Sequence, residues 1–198
     1  MEKQLTARKR QALEMRSRIQ NVALDLFDRD GFENVSVEQI AQAAGCSVGN
    51  IYHYFKSKDE LVKAIVLEEQ NSALTAHNAT YAGSYFDRLC AQVTSCISEI
   101  GYPITHQLWV EIMAESARNP ELRKTYISSD DIMRKSFARL IQEGIAAGEF
   151  RRDINLEEIT IIIFALIDGL IARQAINTTF SFKDDLPMFF DVMAKLLK

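Results

Sequence analysis

Four consecutive residues, Ser47, Val48, Gly49 and Asn50, carry the chemistry of a base reader. An asparagine amide can bond bidentately to an adenine edge, and a valine methyl can meet a thymine methyl. A glycine between them lets the backbone come close to a duplex. Tyr52, His53 and Tyr54 follow within one helical turn, with His53 either a further reader or an idle surface residue. Upstream, Ser36 and Gln39 have the types and spacing of a capping box, and a helix start also offers N–H groups to a phosphate. Capping alone accounts for that pair equally well. The first 18 residues set Lys3, Arg8, Lys9, Arg10, Arg16 and Arg18 against only Glu2 and Glu14, which suits contact with phosphates or a solvated tail. Catalytic chemistry is not legible. His53, His77 and His106 stand apart, and no HExxH, GxSxG, P-loop or dinucleotide fingerprint occurs. The chain is expected not to be an enzyme and to need no metal or cofactor.

The elements that must position these residues follow from caps and periodicity. Val37, Ile40, Ala41 and Ala44 repeat at helical spacing after Ser36, and Gly45 stands where a left-handed cap is wanted. Ser47 then caps a second helix with Val48, Ile51 and Phe55 on its core face. Two capped helices across a turn of about three residues describe a helix-turn-helix, whose second helix enters the major groove. A helix over 9–30 precedes them, and Ser57 caps another running from Lys58 to about Thr80, with Glu68 to Asn71 read as exposed turns. Further helices are expected over 84–100, 103–118, 121–147 (with an interruption at Ser128-Ser129-Asp130 as an option), 155–176 and 184–198. The fold class is all-α, with about nine helices. Residues 1–62 would form a three-helix DNA-binding helix-turn-helix domain with a basic N-terminal arm, and residues 63–198 a C-terminal helical domain.

Composition agrees with a soluble globular protein, at 47% hydrophobic and 25% charged residues, with a net charge of −4. Residues 1–63 carry 10 Lys/Arg against 9 Asp/Glu, and the remainder 13 against 18, so phosphate contact belongs at one end. Cys46, Cys90 and Cys96 are odd in number without metal-ligand spacing, as free thiols in a reducing compartment are. No apolar segment follows the basic start, and Ile159–Ala172 is shorter than a membrane span and contains Asp168. A cytoplasmic protein without a membrane partner is expected.

Two sites in the second domain are less sharply marked. Phe86, Cys90, Tyr102, His106, Trp109, Met113, Phe137, Phe164 and Asp168 are candidates to line an apolar cavity with a few polar groups. An aromatic or Met stripe is also what an ordinary core looks like. Asp168, a carboxylate in an apolar helix, needs a partner, either a cationic ligand or Arg173, Arg139 or a group from a second copy. The 155–176 helix is apolar nearly all round, as a helix covered on every side is. Ala165, Gly169 and Ala172 form a small-residue strip on it. With Phe189 and Met193 of the last helix, that strip is a candidate dimer interface.

The segment from Arg18 to Leu61 resembles the DNA-binding domain of the TetR family of bacterial transcriptional repressors. Ala23, Phe27, Gly31-Phe32, Ile40-Ala41 and Ala44-Gly45 carry the likeness, continued by Ser47, Gly49, Ile51-Tyr52, Tyr54-Phe55, Lys58 and Leu61. The stretches around Trp109, Asn119-Pro120, Ala147 to Phe150 and Asp168 to Leu170 are similar to regulators of osmolyte and small-molecule metabolism in that family. The resemblance implies phosphate contacts from Tyr52, Tyr54 and Lys58, with Arg16 and Arg18 near the duplex. It also implies a homodimer on a palindromic, double-stranded operator, released when a small apolar or amphipathic effector binds the second domain. An efflux or catabolic gene would be the target. The alternative keeps DNA binding and replaces the effector with a protein partner.

Overall fold

A computed structural model describes residues 7–77, 83–98, 104–177 and 179–198. Among these residues there are nine helices and no strand. They are α1 (Ala7–Asp30), α2 (Val37–Ala44), α3 (Val48–Tyr54), α4 (Lys58–His77), α5 (Tyr85–Ile97), α6 (His106–Arg118), α7 (Pro120–Ala146), α8 (Leu156–Ile176) and α9 (Phe182–Leu197).

The first three helices form where the caps put them. The Ser36 Oγ accepts the Gln39 N–H at 3.2 Å, and the Gln39 side chain accepts the Ser36 N–H at 2.7 Å, closing the capping box. Such a box is worth about 1 kcal/mol. Gly45 ends α2 at φ 65°, a left-handed conformation that a side chain would strain. Ala23, Phe27, Ile40, Ala44, Ile51 and Phe55 are buried together, with Leu61 of α4 in the same cluster. Burying each of the larger ones stabilises by roughly 1.5–3 kcal/mol.

The core continues into two clusters. The first joins α1–α3 and the start of α4 to Ile104 just before α6, to Leu108 and Ile112 on α6 and to Leu122 of α7. The second gathers α5, α7, α8 and α9 around Phe137, Ile141, Ile163, Leu170 and Leu197. Trp109 packs against both. Several boundaries differ from expectation for local reasons. α6 starts at His106 rather than at 103, because the Thr105 side chain takes the cap by accepting the Leu108 N–H. α7 runs unbroken through Ser128–Asp130. There Ser129 is buried, and Asp130 and Asp131 pair one turn on with Arg134 and Lys135, at 2.8 and 2.6 Å. The Phe150 ring folds back on α7 so closely that a Cβ on Gly144 would lie 2.4 Å from it.

α8 is the main departure. It is not covered on every side: Ile159, Ile163, Ile167, Leu170 and Ile171 are buried, but Ile161 is 51% and Ile162 43% exposed. Its 21 residues also meet the length and apolarity of a membrane span, which the shorter run Ile159–Ala172 inside it does not. Its buried face packs in the second core cluster, as a core helix does.

Candidate nucleic-acid interface and ligand cavity

α3 presents the residues expected to read bases on an open face. Ser47 caps it, accepting the Asn50 N–H at 3.2 Å. Gly49 is exposed, and a Cβ there would meet nothing nearer than the Ser47 Oγ at 3.8 Å. Nothing inside the chain therefore requires glycine at 49, and the space above it is free for another molecule. Tyr52 is 50% exposed and His53 is exposed, while Val48 and Tyr54 lean on the core and Tyr54 meets the His53 ring edge-on. Arg18 lies over the turn, with its guanidinium 3.0 Å from a Cβ placed on Gly45. Arg16 sits over the Phe55 ring at 5.0 Å.

Lys58 departs from its expected place. Its Nζ donates to the Val35 carbonyl at 2.8 Å and lies 4.2 Å above the Phe32 ring, and burial lowers its pKa. The cation ties the start of α4 to the loop before α2. Lys56, exposed just after α3, is a cation of that segment that sequence reasoning passed over. Its position two residues beyond Tyr54 was the available signal. Ser36 and Gln39 accept in the capping box through their side-chain oxygens, which leaves the Ser36 O–H and the Gln39 amide N–H groups, beside the backbone N–H groups of α2, to donate to an anion.

The second site is a cavity among α4–α8, enclosing about 790 Å³ of empty space with its mouth included. Of the expected lining, His106, Trp109, Phe164 and Asp168 face it. Phe137 is fully buried behind it, edge-on to Phe164. Phe86 lies under the Lys198 ammonium, and neither it nor Cys90 nor Met113 lines the space. Tyr102 lies outside the described residues. The structure adds Glu69 and Gln70 from α4, Cys96 from α5, and Tyr126, Ser129, Asp130 and Met133 from α7. Glu69 and Gln70 stand in the stretch read as exposed. In fact Val62, Val66, Gln70 and Ala73 continue one buried stripe, with Gln70 only 9% exposed. A polar residue in register with an apolar stripe was the signal.

The electrostatics of this space are one-sided. Three carboxylates line it, and no lining residue is Lys or Arg. Asp130 is neutralised by Arg134. Asp168 pairs with neither Arg173 nor Arg139 among the described residues. Burial and the nearby Asp130 push it up to about 6, against a smaller pull from the Trp109 indole. That indole Nε1 approaches Asp168 without normal hydrogen-bond geometry and is otherwise unpartnered. Burial raises Glu69 to about 8, opposed by the Ile104 N–H, and its Oε2 has no partner.

One helix joins cavity and reading head. The start of α6 supplies His106 and Trp109 to the cavity, and the Thr105 hydroxyl before it donates to Asp28 of α1. Farther along, the Glu111 carboxylate accepts the Phe32 N–H at 2.7 Å, Arg118 pairs with Glu33 at 3.2 Å, and Asn119 donates to Asp59 at 2.8 Å. On α8, Ala165 and Gly169 are exposed and Ala172 is half-buried. A Cβ on Gly169 would meet nothing within 4 Å. Met193, expected at an interface, is 2% exposed in the chain's own core, with Phe189 partly buried against that core. Met188 and Val192 take the outward positions on α9.

Comparison with known proteins agrees at both ends. Residues 19–65 match the bacterial regulatory proteins of the tetR family, and residues 88–185 match the BetI-type transcriptional repressor C-terminal family. The regulator UidR of Escherichia coli is 31% identical over 163 residues, covering 79% of this chain and 80% of its own. The solved structure of Salmonella enterica GusR superposes with a TM-score of 0.76 at 29% identity, covering 92% of this chain and 96% of that one. A regulator from Saccharomonospora viridis, solved in complex with choline, superposes at 0.78 with 24% identity, over 93% and 98%.

Proposed function

The chain belongs to the TetR family of transcriptional regulators, which are not enzymes, and from that premise we propose that it is a dimeric repressor released from a palindromic operator by a small effector. The observation that carries this is α6. It lines the cavity with one end and holds the reading head through Thr105, Glu111, Arg118 and Asn119 along its length. A ligand that favours one placement of α6 therefore biases where α3 stands, and DNA biases it the other way. In a dimer, two α3 helices must reach successive major grooves about 34 Å apart, so a small change in their separation weakens the complex. Asn50, Val48 and Gly49 would face the bases, and Tyr52, Tyr54, Arg18 and Lys56 the phosphates.

The exposed apolar strip of α8 and α9, with Ile161, Ile162, Ala165, Gly169, Met188 and Val192, supports pairing with a second copy. An internal cavity favours a small molecule over a protein partner as the effector, and the choline held by the Saccharomonospora relative is in keeping with that. Such a regulator acts in the cytoplasm, on a neighbouring efflux or catabolic gene. The test is selection of bound duplexes from a randomised pool, followed by titration of the selected duplex. A palindrome bound by two chains, with affinity lowered by a cavity ligand, is expected. A selected site lacking two-fold symmetry would refute the dimeric reading.

A further inference from the structure

We propose that the cavity takes a protonated amine, its N–H donors held by Glu69, Gln70 and Asp168 and its apolar body lying against Trp109, Tyr126 and Phe164. The inference rests on the reading of this cavity as the effector site, and it names the ligand's chemistry. Gln70 is the first support. Its side chain is buried at 9% exposure, lines the cavity, and its Oε1 has no hydrogen-bond partner. A buried carbonyl oxygen without a donor costs stability, and such groups are few in native proteins. The Glu69 Oε2, also buried, lacks a partner in the same space. The Gln70 orphan is an acceptor, and the Glu69 oxygen becomes one when that carboxyl gives up its proton, so one incoming donor group answers both.

Charge decides what kind of donor. Glu69 and Asp168 reach the same space from α4 and α8 with no lining cation to offset them. Both also add to the effect of burial in raising the Cys96 thiol, which lines the same space. An anion would meet the Asp168 charge without compensation and would bring no donor to the Gln70 oxygen. A quaternary ammonium would satisfy the charge and leave the Gln70 and Glu69 oxygens without donors. An ammonium bearing N–H groups answers both needs, and its body can lie on the aromatic walls. With the cavity empty at neutral pH, burial keeps the proton on Glu69. When the ammonium enters, Glu69 gives that proton to solvent and the amine keeps its own, so binding releases up to one proton. Cys96 on α5, His106 on α6, Tyr126 and Asp130 on α7 and Asp168 on α8 face the same space. Asp130 is already paired with Arg134.

The experiment is calorimetry on the full chain with hexylamine, 2-phenylethylamine and tryptamine. Each is set beside its alcohol and its N,N,N-trimethyl derivative, with 3-phenylpropionate as the anion. At least one amine is expected to bind tenfold or more tighter than its alcohol and its trimethyl derivative, with heats in two buffers showing proton release at pH 7. Glu69→Gln and Asp168→Asn should each reduce that preference at least fivefold, and thermal melting would confirm that they fold. Equal binding of amine and alcohol, equal binding of the trimethyl form, or no binding by any amine overturns the proposal. Titrating the selected operator separates it from the effector reading. An amine that binds without weakening DNA binding leaves the amine site standing and sinks its role as effector site. DNA release by some other ligand, with no amine bound, does the reverse.

Discussion

Replacing Glu69 by glutamine should flatten the dependence of stability on pH. Burial places the Glu69 carboxyl at about 8, against an ordinary 4.5. At 1.36 kcal/mol for each tenfold change, that difference amounts to about 5 kcal/mol between charged and neutral forms. The sign follows from which state holds the proton. Between those two values the folded chain keeps a proton that the unfolded chain has lost. The stabilisation is therefore complete below about 4.5 and is lost as pH rises through 8. From pH 6 to pH 8 the loss is about 2 kcal/mol. For a chain of 198 residues this lowers the melting temperature by about 5 °C. Asp168, raised from 3.8 to about 6, loses its own contribution mainly below that window, so pH 6 to 8 isolates Glu69. Glutamine stays neutral throughout. Melting followed by circular dichroism at pH 6, 7 and 8, without ligand, should show the wild type falling with pH and Glu69→Gln falling by about 5 °C less. Parallel lines for the two proteins would show that the carboxyl is not held protonated, and the electrostatic account of the cavity would fail with it.

Three further outcomes follow from other parts of the molecule. Tyr52→Ala, at a half-exposed position on α3, should weaken binding of the selected operator at least tenfold in a gel-shift titration while the dimer persists in sedimentation. Retained affinity would remove Tyr52 from the interface. Gly169→Trp, where open space surrounds the missing Cβ, should leave the fold intact and raise the monomer fraction; an unchanged dimer would place the partner elsewhere. Gly144→Ala puts a methyl 2.4 Å from the Phe150 ring and should cost about 1–3 kcal/mol in a urea titration. Pairing it with Phe150→Ala should recover part of the clash, and a neutral Gly144→Ala would mean the ring has room to move.

Local chemistry was enough to specify the reading head. The capping box of Ser36 and Gln39, the left-handed Gly45 and the Ser47 cap act over three or four residues, so their types and spacing determine where α2 and α3 start and stop. The same holds for Asn119 and Asn155, whose side chains open α7 and α8. The resemblance carried by residues 18–61 lies in that locally determined part, which the family match over residues 19–65 covers. The cavity was legible only in part. His106, Trp109, Phe164 and Asp168 are large or polar enough to be noticed, but Phe137, expected beside them, turned out to be plain core. Which side of a helical stripe meets a hole and which meets another side chain depends on how the helices cross.

Tertiary structure decided the rest because it brings distant groups within reach of one another. It turned Lys58 inward onto the Val35 carbonyl and buried Met193 in its own chain. It left Ile161 and Ile162 of α8 without cover. It also carried Glu69 and Gln70 out of an apparently solvated stretch into a space shared with Asp168, nearly a hundred positions along the chain. Periodicity and caps depend on neighbours along the backbone, so the sequence alone determined the helices and the reading head. Desolvation and charge compensation depend on what surrounds a group in space, and only the packed bundle determined those.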